Sequence, residues 1–187
     1  HEIKIPISSL NIITDRLEDI EDSMSVRNQV EKMNFLVNSI LYGSKSASLF
    51  EDVFINKVNL NSLVKKSIKN NSFLLIRNNI DIDIKNLDYE IYTDIKCILY
   101  VLEQLINNSI KYSKESGKIE FSANKEEDCV VLNIKDYGIG IYKEDLSRVF
   151  DKVFTGVNGR EKMYKSTGMG LYFSRKIIDK LGNKIYV

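Results

Sequence analysis

Apolar residues in the first forty positions recur at the spacing of two helices that pack against a partner. Ile3, Leu10, Leu17 and Met24 are separated by whole heptads, and after a polar break a second series follows from Val26 to Ile40 with alternating steps of four and three. A hairpin with two narrow apolar seams buries both by pairing with a second copy as a four-helix bundle. We therefore predict a homodimer through residues 1–47. Packing of both helices on the rest of the same chain is the alternative.

The apolar pattern changes after a polar linker at 43–48. The residues beyond it are expected to form an α+β fold, a sandwich at 48–187 whose mainly antiparallel sheet is covered by helices on one face. The periods predict strand 53–60, helix 61–77, strand 80–84, helix 94–112, paired strands 118–124 and 129–135 across a turn at 126–128, and helix 170–181. The long segment between Asp136 and Thr167 has little regular pattern, which is typical of a functional loop. We predict a mobile lid at about 141–167.

Composition narrows the classes of partner. Lys plus Arg (27) nearly cancels Asp plus Glu (26), so a net charge of +1 gives no electrostatic reason to expect nucleic acid or an anionic membrane surface. Cys97 and Cys129 lie far apart in apolar runs, which predicts two buried thiols in a reducing compartment. No apolar run approaches the roughly 20 residues that span a bilayer. The chain begins at His1 without Met, so we expect a piece of a longer protein, with membrane attachment only through an upstream region.

Candidate chemistry is concentrated in three short blocks. Gln104, Asn108 and Lys111 share one face of the helix predicted at 94–112. Amide oxygens suit magnesium and a lysine suits phosphate, although a polar helix face can also be merely solvated.

Asp136 follows a strand in Asp136-Tyr137-Gly138-Ile139-Gly140, where its carboxylate can accept a hydrogen bond from an exocyclic amine. The two glycines allow the backbone to approach a flat ligand, but such a sequence is more often an ordinary turn.

The third block, Thr167-Gly168-Met169-Gly170-Leu171, opens a helix, where free amides and the helix dipole favour phosphate. In this order the blocks resemble the N box and the two Gly-rich boxes of the sensor histidine kinase catalytic domain, a Bergerat-type ATP-binding fold shared with gyrase and Hsp90. Phe150 and Phe154 resemble the F box between them. The resemblance covers the whole chain.

The resemblance implies ATP and Mg²⁺ as cofactors. Asn108 would bind the metal, Asp136 would recognise the adenine amine, and Lys111 and Tyr112 would contact phosphates or ribose. The other ATP-binding residues that it implies are Gln104, Gly138, Gly140, Phe150, Phe154, Thr167, Gly168, Gly170 and Leu171.

His1 is the only histidine in the chain and is followed by Glu2, Lys4 and Pro6 at the spacing of the same family. The resemblance implies that His1 accepts the γ-phosphoryl group of ATP, that Glu2 orients its ring or takes its proton, and that the phosphate passes to an aspartate of a response regulator receiver domain. A purely structural histidine is the alternative.

One position departs from related hydrolytic ATPases. Those enzymes carry Glu one turn before the magnesium Asn, whereas this chain has Gln104, and an amide cannot act as a base. Phosphoryl transfer is therefore favoured over ATP hydrolysis. If the magnesium ligand were Asn107 instead of Asn108, however, Glu103 would stand one turn before it and could act as the base. Gln104 and the segment 154–160 also resemble kinases paired with antimicrobial-peptide transporters, which implies the cytoplasmic portion of a bacterial inner-membrane protein.

Two other functions remain compatible with these motifs. One is a nucleotide-responsive dimeric scaffold without kinase activity. The other is a serine kinase of the anti-sigma type, which would not need the histidine-bearing hairpin.

Overall fold

A computed structural model of the chain describes residues 53–114, 116–156 and 168–187, which belong to one compact unit. The hairpin predicted at 1–47 and the linker after it lie outside these residues, so the domain boundary and the homodimer remain predictions. In the described part of the chain, no helix is both long enough and apolar enough to span a membrane.

The described residues alternate short strands with helices. In chain order the elements are β1 Asn56–Asn59, α1 Leu60–Asn70, α2 Ser72–Arg77, β2 Asp81–Lys85, β3 Glu90–Thr93, α3 Ile95–Lys111, β4 Lys118–Glu126, β5 Cys129–Asp136, a 3-10 helix Leu146–Arg148, and α4 Gly170–Lys180.

The strands of the described residues form two sheets. In the larger sheet β4 lies in the centre, parallel to β2 and antiparallel to β5, and in the smaller one β1 and β3 are antiparallel. Helices α1 and α3 pack together, and their apolar faces join the sheet in one core around Val64, Ile106 and Phe121, which are fully buried. The predicted α+β class and the covered sheet face are confirmed.

Several boundaries differ from the sequence-based expectation. The strand expected at 53–60 covers only Asn56–Asn59. It ends before Leu60, because Asn59 accepts a hydrogen bond from the Ser62 amide (3.1 Å) and so caps a helix that begins at Leu60. The single helix expected at 61–77 is interrupted at Asn71. The Asn71 side chain donates to the Ser67 carbonyl at 2.8 Å, an alternative to continued helix. Strand β3 was not predicted, since its four residues are too few for a clear alternation.

The prediction for the two thiols is half right. Cys97 lies on the buried side of α3, and burial raises its pKa to about 11, so this thiol stays protonated and unreactive at neutral pH. Cys129 is exposed, because it is the first residue of β5, beside the turn that joins β4 to β5.

Asp94 connects the start of α3 to the chain before β1. Its two carboxylate oxygens accept hydrogen bonds from the Cys97 and Phe54 amides, both at 2.9 Å, and it is 5% exposed. Burial would raise the pKa of Asp94, but these hydrogen bonds outweigh burial and hold the pKa below its usual value.

We expect Asp94→Ala to lower the free energy of unfolding by about 2 kcal/mol, because the buried Cys97 amide and the part-buried Phe54 amide lose their acceptor. Asp94→Asn should cost less, since Asn also caps helices. The carboxylate contributes stability above its unfolded pKa of about 3.9 and loses it as the pH falls through the lower folded value. Urea unfolding should therefore show a smaller difference between wild type and Asp94→Asn in acid than at pH 7. Equal stability of wild type and Asp94→Ala at pH 7 would count against this role.

Candidate nucleotide-binding site

Helix α3 divides into an apolar and a polar face, as predicted. Leu102 and Ile106 are buried in the core, whereas Gln104, Asn108 and Lys111 are half-buried. Two other apolar residues of this helix, Leu105 and Ile110, are also only half-buried. The polar face of α3, which carries the side-chain amides of Gln104 and Asn108, is therefore accessible to a ligand.

Asp136 ends β5 and forms a tight turn. Its Oδ1 accepts the Gly138 amide hydrogen at 3.0 Å, and its Oδ2 accepts the Ser109 hydroxyl at 3.4 Å. The next amide, that of Ile139, donates to the Tyr112 carbonyl at 3.0 Å. The turn is thus tied to the last residues of α3 through both its side chain and its backbone.

The two glycines of this turn serve different purposes. A Cβ at Gly138 would lie 2.4 Å from the Tyr112 carbonyl oxygen, so only glycine allows this close approach of the turn to α3. Gly140 has a φ of +73°, and no described atom lies within 4 Å of where its Cβ would be. The space beside Gly140 is therefore open among the described residues.

Gly168 joins the third block to the segment that contains the two phenylalanines. It has a φ of +64°, and a Cβ there would lie 2.4 Å from the Val153 carbonyl carbon and 2.5 Å from the Phe154 nitrogen. The Val153 amide donates to the Gly168 carbonyl at 3.1 Å. Val153 itself has a φ of +64°, which is rare for a β-branched residue and is found mainly at functional sites.

The start of α4 lies against the polar face of α3. A Cβ at Gly170, the first residue of α4, would lie 2.6 Å from Gln104 Oε1. No side chain of the described residues caps α4 at Met169, so its first amides can bind an anion. Glu103 points elsewhere, because its Oε1 accepts a hydrogen bond from Asn70 of α1 at 2.7 Å.

Each of the two phenylalanines lies beside an arginine. The Arg175 guanidinium of α4 is 5.2 Å from the Phe150 ring centre, and that of Arg148 is 4.5 Å from the Phe154 ring centre. Both distances fit cation–π contacts. The first contact joins α4 to the segment before the third block.

Contacts thus connect the four sequence blocks that lie in the described residues. The predicted residues Gln104, Asn108, Lys111, Tyr112, Asp136, Gly138, Gly140, Phe150, Phe154, Gly168, Gly170 and Leu171 are on these elements, whereas His1, Glu2 and Thr167 lie outside the described residues. Sequence reasoning missed Ser109, Arg148, Val153 and Arg175. A serine within the buried side of an apolar helix was the one available signal for Ser109.

Comparison with known proteins assigns these features to a family. The profile of the histidine kinase-, DNA gyrase B-, and HSP90-like ATPases matches residues 93–187, which include α3, the Asp136 turn and α4. The sensor histidine kinase YxdK of Bacillus subtilis (strain 168) is 33% identical to this chain over 187 residues. The alignment covers 99% of this chain and 57% of YxdK. The chain therefore spans little more than half the length of this relative.

Solved structures agree with this assignment. The catalytic domain of histidine kinase ThkA is similar with a TM-score of 0.62 and 29% identity over 71% of this chain and 86% of its own. ThkA in complex with the response regulator protein TrrA is similar with a TM-score of 0.67 and 24% identity, over 98% of this chain and 53% of the ThkA chain. At that identity the similarity shows the fold alone. The chain belongs to the histidine kinase-, DNA gyrase B-, and HSP90-like ATPase family, and its ATP-binding domain resembles those of the sensor histidine kinases within it.

Proposed function

We propose that this chain transfers the γ-phosphoryl group of ATP to His1 and passes it to an aspartate of a response regulator receiver domain. The observation that carries the proposal is the set of contacts between blocks that are distant in sequence. Gly138 lies against Tyr112, Gly168 against Val153, and Gly170 against Gln104. These contacts gather the polar face of α3, the Asp136 turn and the start of α4, which together offer an amine acceptor, amide ligands and free helix amides.

ATP and Mg²⁺ fit the side chains at this site. The exposed Asp136 carboxylate would accept the adenine amine beside the open space at Gly140. The Asn108 side-chain oxygen would bind Mg²⁺, Lys111 would contact a phosphate, and the amides that open α4 would hold the phosphate chain. ATP supplies the phosphoryl group when bound, and magnesium with correct positioning accounts for most of the rate of phosphoryl transfer.

The phosphoryl acceptor in this proposal is His1, outside the described residues. A neutral imidazole nitrogen forms a bond to the γ-phosphorus while the bond to the bridging oxygen breaks and ADP leaves with the electron pair. Glu2 orients the ring for this attack or takes the proton that the other ring nitrogen loses as the phosphoimidazole forms. Thr167 and the segment 141–167 would close over the phosphates during this step.

The partners in the proposal are a second copy of the chain and a response regulator. The copy would pair through residues 1–47, and a strictly monomeric chain at micromolar concentration would contradict this dimer. The regulator is supported by the similarity to ThkA, which has been solved with a response regulator protein. Association with a bacterial inner membrane, and with a peptide transporter there, would occur through a region upstream of His1. The net charge of +1 gives no reason to add nucleic acid.

The side chain at position 104 should decide between transfer and hydrolysis. Gln104 faces Gly170, whereas Glu103 is bonded to Asn70, so the residue near the start of α4 is an amide that cannot activate water. We expect Gln104→Glu to increase release of free phosphate by at least about tenfold, because a positioned general base contributes a factor of this size or more.

Free phosphate and protein-bound label would be measured together in one reaction with γ-labelled ATP and Mg²⁺. Wild type should carry label and release phosphate slowly, and His1→Gln should do neither. Gln104→Ala is the matched control, since it loses the contact with Gly170 without gaining a base. Rapid steady phosphate release by His1→Gln would contradict a transferase. ATP binding without label in wild type would favour the nucleotide-responsive scaffold.

A further inference from the structure

Three serines buried in the described helices satisfy their hydroxyl groups in two different ways. Ser67 in α1 donates to the Val64 carbonyl at 2.8 Å, and Ser174 in α4 donates to the Gly170 carbonyl at 2.9 Å. Such bonds within the same helix are the usual solution for a buried helical serine. The hydroxyl of Ser109 in α3 instead donates to a carboxylate 27 residues away, at Asp136 on β5.

This bond completes the restraint on Asp136. The Gly138 amide donates to Oδ1 at 3.0 Å, and the Ser109 hydroxyl donates to Oδ2 at 3.4 Å. With the Gly138 amide on one oxygen and the Ser109 hydroxyl on the other, rotation of the carboxylate about its last bond is more restricted than with either donor alone. Ser109 is 5% exposed and Asp136 is exposed, so the carboxylate is held from the protein side while its outer side stays open.

We propose that Ser109 is a positioning residue that holds the Asp136 carboxylate in the orientation that accepts a hydrogen bond from the exocyclic amine of adenine. The inference rests on the proposed function, in which Asp136 recognises that amine. A fixed acceptor favours a base that carries an amine and disfavours one with a keto oxygen at the same position, because two facing acceptors cannot pair. Ser109 therefore contributes to base selectivity without contacting the phosphates.

If Ser109 were purely structural, its loss would have different effects. Removing its hydroxyl would change the stability of the fold and would weaken the binding of every nucleotide equally. A positioning hydroxyl changes the preference between bases instead, and its loss leaves the exposed Asp136 solvated, so the fold is little affected. Ser67 supplies a matched control, since it is also a buried helical serine and its hydroxyl donates a hydrogen bond, at 2.8 Å, but it lies on α1.

The test is equilibrium binding of ATP and of inosine triphosphate, in which a keto oxygen replaces the amine, to the full chain with Mg²⁺. We expect Ser109→Ala to weaken ATP binding about two- to tenfold, the range for one lost hydrogen bond, and to change inosine triphosphate binding less than about twofold. Ser67→Ala should change neither, and both variants should unfold at similar temperatures.

Two further variants make the result decisive. Ser109→Thr keeps a hydroxyl and should keep the wild-type preference for ATP. If its extra methyl prevents folding, Ser109→Cys, a weaker donor of similar size, should give an intermediate preference. Equal weakening of both nucleotides in Ser109→Ala, or no weakening of ATP, would overturn the inference.

Asp136→Ala separates this inference from the proposed function beneath it. If Asp136→Ala abolishes the preference for ATP while Ser109→Ala keeps it, only the role of Ser109 is wrong. If Asp136→Ala leaves the preference unchanged, the assignment of Asp136 to adenine fails and the role of Ser109 fails with it.

Discussion

Asn108→Ala should reduce autophosphorylation about 100-fold or more, equivalent to about 2.7 kcal/mol of transition-state stabilisation. Asn108 lies on the accessible polar face of α3, one turn after Gln104 and one turn before the end of the helix. Its amide oxygen is the proposed protein ligand of Mg²⁺, and alanine offers no ligand atom. The initial rate of label transfer from γ-labelled ATP measures the effect.

Asn107→Ala is the matched control, because it removes the same side chain from the adjacent position. Asn107 follows Glu103 by one turn, and Glu103 is bonded to Asn70 of α1 rather than facing α4. We expect Asn107→Ala to retain most of the activity. Loss of activity in Asn107→Ala with retention in Asn108→Ala would show that the register assigned to this helix is off by one residue.

Gly168→Ala should destabilise the domain by about 3 kcal/mol, since a positive φ costs an alanine about 1–2 kcal/mol and the displaced backbone adds to it. The new Cβ would lie 2.4 Å from the Val153 carbonyl carbon and 2.5 Å from the Phe154 nitrogen, which is far shorter than a van der Waals contact. Both are backbone atoms, so no side-chain rotation can relieve the clash. The start of α4 would shift, so ATP affinity should fall as well. Urea unfolding and ATP titration measure the two effects.

Gly182→Ala is a control that separates the cost of backbone strain from the cost of a steric clash. Gly182 follows α4 with a φ of +71°, and no described atom lies within 4 Å of where its Cβ would be. Gly182→Ala should therefore lower the free energy of unfolding only by the backbone strain, about 1–2 kcal/mol, and leave ATP affinity unchanged. Equal stability losses in the two variants would mean that the contact between Gly168 and Val153 is absent in solution.

The sequence was sufficient to predict the main elements of the described domain because their apolar periods are long. Helix α3 and the β4–β5 hairpin were found with boundaries within about two residues. The interruption at Asn71 and the four-residue β3 were missed, since each depends on one side-chain hydrogen bond or on pairing with a distant strand. The predicted turn at 126–128 already placed Cys129 at the start of a strand, so its exposure could have been predicted from the turn, although the apolar run that follows suggests burial.

The candidate site was predictable in its residue types but not in its contacts. Glycine spacing indicated close approaches, yet only the structure identifies Tyr112, Val153 and Gln104 as the neighbours that require glycine. The partner of Ser109 depends on the distance between α3 and β5, a tertiary feature that no local pattern encodes. The roles of the individual residues toward ATP and Mg²⁺ stay predictions.

The chemical stability of the phosphorylated chain is the most direct test of phosphoryl transfer to His1. A version extended upstream of His1 would be incubated with γ-labelled ATP and Mg²⁺ beside His1→Gln, and the bound label would then be exposed to acid and to alkali. We predict label that acid removes and alkali does not, as for a phosphoimidazole, and no label on His1→Gln. Acid-stable label, or label that persists in His1→Gln, would contradict a histidine kinase.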